Sequence, residues 1–164
     1  MISGAPRRFA RRAARLPAIA VLLGACASLT HDHIGVAGAA ADADPATVAH
    51  IRLGAEQPVI LRGVDSKLLG SVHIPNAVRA YTYVLPPGPR ELWVSTVPYA
   101  NAVMPQHLGC YALRVTLAAG GDYLLRFDPQ RVAPVLGPGD ASQPLATGEL
   151  LDRPLIVERA CRWP

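Results

Sequence analysis

Apolar and polar residues alternate along this chain in short runs, each closed by proline or glycine. In residues 91–97, Leu92, Val94 and Thr96 share one parity, and Glu91, Trp93 and Ser95 the other. In residues 110–117, Leu113, Val115 and Leu117 fall together, with Arg114 and Thr116 opposite. A period of two places such residues on opposite faces of a strand. Similar runs occupy residues 48–53, 58–64, 80–85, 123–127 and 154–158. The 16 prolines and 14 glycines leave no long stretch with a helical period. The pattern predicts an all-β fold, a small antiparallel β-sandwich.

Turn chemistry suggests the connections. Pro87 and Gly88 suit a type II turn, with proline fixing φ and glycine accepting φ > 0. Residues 80–85 and 91–97 are therefore expected to pair as a hairpin, as are 110–117 and 123–127 around Ala118, Gly120 and Gly121. Residues 65–76 fit a weak helix or an irregular turn, and the proline-rich stretch 129–144 is expected to break any strand. Small residues without a sustained period fill residues 27–47, which reads as a flexible tether. The folded domain is then 48–164.

The first 25 residues change the picture of where the chain works. Arg7, Arg8, Arg11, Arg12 and Arg15 precede a short apolar run and the small residues Gly24 and Ala25. These are the parts of an export signal, and the apolar run is well short of the roughly 20 residues that span a bilayer. Leu23, Gly24, Ala25 and Cys26 resemble the lipobox of bacterial lipoproteins. That resemblance implies cleavage before Cys26 and lipid on its thiol and new amino terminus, so residues 1–25 are a signal peptide and 26–47 a lipidated tether. With Ala27 rather than Asp after the cysteine, it implies the outer membrane, facing the periplasm. An ordinary signal peptide that happens to hold a cysteine is the alternative.

Charge must then be counted after processing. The formal charge of +4 includes five arginines in residues 1–25; the remainder holds 11 Lys+Arg against 12 Asp+Glu, close to −1. Its cations are scattered, so nothing marks a nucleic-acid partner. Cys110 and Cys161 remain as an even pair, which in an oxidising compartment reads as a disulfide. Two buried thiols are the alternative.

No motif of catalysis emerges. Gly70, Ser71, Val72 and His73 lack the second glycine of a nucleophile elbow, and no His-Glu-x-x-His is present. His31, Asp32 and His33 offer two imidazoles and a carboxylate. On a floppy tether they make only a weak metal site, since ordering the chain opposes binding; a solvated polar patch is the plainer reading. Asp122, Asp128 and Asp140 sit in turn contexts. No catalytic residue, resident metal or cofactor is assigned. Tyr81, Tyr83 and Trp93 would share one sheet face if the first hairpin forms, as a flat binding surface or as core.

The turn before residues 91–97 and the Ala-Gly-Gly-Asp-Tyr ending at Tyr123 resemble small bacterial lipoproteins with PEGA-like or carboxypeptidase-regulatory-like modules, over residues 80–127. The resemblance implies a transthyretin-type Greek key and no assigned activity. Together these features lead to the expectation of a noncatalytic envelope lipoprotein, held to the membrane by its lipid, acting as a structural or protein-interaction module with an envelope protein as partner. The alternative is a module binding glycan, peptidoglycan or a small ligand.

Overall fold

The computed structural model describes residues 30–56, 58–98, 106–139, 143–156 and 160–164. The signal segment, Cys26 and the three residues after it lie outside these, as do Tyr99 and Asp140. Among the described residues there are eleven strands: β1 (Thr30–Gly35), β2 (Ala49–Leu53), β3 (Val59–Val64), β4 (Lys67–Leu68), β5 (Arg79–Leu85), β6 (Gly88–Thr96), β7 (Cys110–Leu117), β8 (Asp122–Asp128), β9 (Ala133–Pro138), β10 (Ala146–Thr147) and β11 (Glu149–Asp152). Those residues form no helix.

Two sheets form, ordered β1-β5-β2-β8-β9-β10 and β11-β7-β6-β3-β4. Their inner faces meet in one core, with Ile51, Tyr83, Leu85 and Leu125 from the first and Leu61, Leu92, Val94 and Leu113 from the second. The all-β sandwich expected from the alternation is therefore what forms. Two neighbouring pairs, β1–β5 and β2–β8, are parallel, so the six-stranded sheet is mixed. Face assignments hold as well: Leu92, Val94, Leu113 and Leu117 turn inward while Arg114 is exposed.

The pairing differs from expectation. Neither expected hairpin forms, because β5 and β6 lie in different sheets, and so do β7 and β8. Pro86 and Pro87 carry the chain across the sandwich, and Gly88 takes φ of 111° before β6 pairs with β3 and β7. Arg90 supplies donors to the carbonyls of both prolines. Its Nε donates to the Pro86 carbonyl at 3.1 Å and its Nη2 to that of Pro87 at 3.3 Å. At the other crossing the Ala118 N–H donates to the Tyr123 hydroxyl, and the Gly120 N–H to the Val48 carbonyl, both at 2.8 Å.

The supposed tether is also corrected from residue 30 onward. Residues 30–35 pair in parallel with β5 in full register, from Thr30 opposite Arg79 to Gly35 opposite Val84. Ile34 packs against the core and Val36 is buried within it. These two apolar residues at alternate positions supply the inward face. The sandwich thus includes residues 30–36, upstream of residue 48.

Three smaller expectations change. Residues 65–76 hold no helix. Asp65 and Ser66 both take positive φ (48° and 63°) and close a two-residue hairpin between β3 and β4, as residues with short polar side chains can. The proline-rich stretch contains β9. The carbonyls of Pro134 and Leu136 accept from Gly148 and Leu145. Because N–H and C=O of a strand residue point the same way, the missing N–H of Pro134 faces this short flank and not β8. The last strand is β11, with Leu155 forming only a single bridge to His107; residues 157 and 158 lie outside the described set.

Candidate functional site

The three aromatics do not share a face. Tyr81 and Tyr83 alternate inward on β5 and are buried in the core. Trp93 sits on β6 in the opposite sheet, on the outer side of Leu92 and Val94. The flat aromatic binding surface is therefore lost with the hairpin that would have made it. Each aromatic has a local partner. Burial pushes the Tyr83 phenol up to about 12, against the opposing effect of the His73 backbone. The His73 Nδ1 lies 3.3 Å from the Tyr83 hydroxyl, and its ring centroid lies 4.9 Å from that of Tyr81. His73 thus braces the core tyrosines, and its Nδ1 faces the Tyr83 phenol and not Ser71.

Trp93 donates its Nε1 to Glu91 at 2.8 Å, and Glu91 also accepts from Arg114 Nε at 3.0 Å. Gly63, opposite Trp93 in register, makes room for the indole. A Cβ there would meet its Cε3 at 2.7 Å. Trp163 stacks on the same indole, with 5.6 Å between centroids. Sequence reading overlooked Trp163, an isolated aromatic near the chain end without a periodic run. The signal available was its neighbour Cys161. Cys110 and Cys161 lie at bonding distance, with Sγ atoms 2.06 Å and Cα atoms 5.8 Å apart.

An extended segment crosses the end of the sandwich between β4 and β5. Its backbone is fastened by the Leu69 N–H to the Arg62 carbonyl at 2.8 Å and the Asn76 N–H to the Arg79 carbonyl at 3.0 Å. The Asn76 side chain accepts from the N–H groups of Val78 and Arg79. His73 turns toward the tyrosines, so its neighbours Val72 and Ile74 turn outward, 44% and 45% exposed. With Leu68 at the end of β4 at 63% and Val78 at 56%, four large apolar side chains stand in water between residues 68 and 78. Beside it opens a groove of about 760 Å³ whose walls include Val36, Val64, Leu69, Ser71 and Tyr83. A separate apolar cleft of about 420 Å³ lies between Pro58, Val97, Phe127 and Val132, with Arg153 at its rim.

The remaining candidates have structural partners. Asp122 pairs with Arg52 at 3.0 Å. Asp128 accepts from the N–H groups of Gln130 and Arg131 and from the Arg131 guanidinium at 2.6 Å. The Arg131 contact holds that carboxyl below its ordinary value. Asp128 is thus a turn-binding aspartate, as its sequence context implies, whereas Asp122 forms an ion pair between β8 and β2. His31 and His33 emerge on β1, and His50 on β2. No protein-family model matches this chain, and no curated protein or solved structure matches it either.

Proposed function

We propose that this chain is a noncatalytic lipoprotein of the cell envelope, held by lipid on Cys26 in the outer membrane facing the periplasm, and that its sandwich is a protein-docking module. The observation that carries the docking role is the stretch from Leu68 at the end of β4 to Val78, just before β5, in which Leu68, Val72, Ile74 and Val78 are all exposed. Clustered exposed apolar side chains mark interaction surfaces. Burying one fully contributes about 1.5–3 kcal/mol, so covering this segment is worth far more than any surface ion pair here. A second reading is favoured by the adjoining groove, which has Tyr83 in its wall and the volume of a small-molecule site. The glycan reading that depended on an aromatic face is not retained.

A photo-crosslinking residue placed at Val72 or Ile74 in living cells tests the docking role. The expected result is one discrete adduct with an envelope protein, absent when the probe replaces Leu150 on β11. Adducts that are the same from all three positions, or none, would overturn it. The anchor is tested separately: Cys26→Ser should move the protein from the detergent phase to the aqueous phase in a phase separation.

A further inference from the structure

Strand β1 changes what the His-Asp-His triplet can do. Because His31 and His33 are two apart on a strand, both imidazoles stand on one face, the outer one, where both are exposed. Asp32 falls on the other face. The ring centroids of His31 and His33 lie 5.2 Å apart. Two imidazoles bound to one tetrahedral ion, with metal–nitrogen bonds of about 2.1 Å, place their centroids about 5 Å apart. The pair already stands at chelating separation on ordered backbone, which removes the entropic objection that a loose tether would raise.

Two further side chains complete the arrangement. His31 Nε2 lies 2.6 Å from Thr82 Oγ1 on the adjacent β5, and Thr82 is itself buried. A fixed partner on one ring nitrogen is the outer-shell device that orients metal-binding histidines; here it leaves Nδ1 as the donor. On β2 stands His50, its ring centroid 6.1 Å from that of His33. Among the described residues no three His, Cys, Asp or Glu side chains converge as they stand, so recruiting His50 takes a rotation of its side chain.

We propose that His31 and His33 chelate a divalent late transition-metal ion, with His50 as the third ligand, on the outer face of the six-stranded sheet. All-imidazole donation suits zinc, nickel and copper(II), with copper(II) bound most tightly. The ion would fasten edge strand β1 to β2, across the intervening β5. This inference stands apart from the docking proposal, because it uses the opposite parity of β1 and no residue of the exposed segment.

The test uses the metal alone with the full chain in detergent. Titration with Cu²⁺ should give one ion per chain, with nitrogen couplings from three imidazoles in the electron paramagnetic resonance spectrum. His50→Ala should leave two. His33→Ala should abolish stoichiometric binding, and Thr82→Val should weaken it by about 10-fold. Zinc should raise the melting midpoint of the parent, as any ligand of the folded state does, and leave that of His33→Ala where it is. Since His33 is exposed, an unchanged metal-free midpoint certifies that this variant folds. Absence of stoichiometric binding in the parent, or equal affinity in a His31→Ala/His33→Ala double variant, would overturn the proposal.

Discussion

The indole of Trp163 lies parallel to that of Trp93, with planes 5° apart and centroids separated by 5.6 Å. Their sequence separation is large, and the covalent link that brings them together is two residues from Trp163, at Cys161. Stacking closes the outer face of β6, where the indole of Trp93 would otherwise meet water.

Breaking that link should therefore have two separable effects. The bridge spans a sequence separation of 51, and on the chain-entropy model closing such a loop stabilises the fold by about 4 kcal/mol. Cys161→Ser should lower the thermal midpoint accordingly and abolish the near-ultraviolet circular dichroism of two coupled indoles. Trp163→Ala should abolish the same signal while keeping most of the midpoint. Coupled indole signal surviving in Cys161→Ser would show that the tail docks without the bridge.

Gly88 gives a cleaner backbone test. Its φ is 111°, and a Cβ built there meets no heavy atom within 4 Å. Gly88→Val would thus suffer strain and no clash, costing about 1–3 kcal/mol. Thermal melts should show a lower midpoint with the fold retained; no change would mean that the crossing between β5 and β6 tolerates a different backbone.

Acid should weaken the same outer face. Glu91 is held below its ordinary 4.5 first by the Trp93 hydrogen bond and then by Arg114. A carboxyl depressed in the folded state contributes stability above its unfolded value and loses it as pH falls through the depressed one. Midpoints measured from pH 6 down to pH 2 should fall in the parent below about pH 4.5. Glu91→Gln should start lower and fall less steeply, and identical slopes would remove Glu91 from the account.

What could be read in advance was which way side chains face. Leu92 against Trp93 and Leu113 against Arg114 were assigned correctly, since strand parity is local. Which strand lies beside which is not local. Pro87 and Gly88 reverse the chain equally well into a hairpin or across a sandwich, and the deciding contacts come from Arg90 and Asp65, both outside the turn itself. Strand β1 escaped notice because its only large apolar residue is Ile34. Its place depends on six residues of β5, 49 positions further along. The aromatic face failed as a direct consequence of the pairing error, and the His31–His33 chelate was discounted for want of the strand that orders it.

Parallel strand β1 finally sets a height. Residue 30 already belongs to the sandwich, so a lipid on Cys26 would leave only three residues in between, a reach of at most about 14 Å over four Cα–Cα steps. A free tether as far as residue 47 would have allowed roughly 70 Å. Held this short, the domain could not sweep the periplasm for distant partners. It would lie against the headgroups in a narrow range of poses, with the edge of the six-stranded sheet toward the bilayer, and would meet only what is already at the membrane surface.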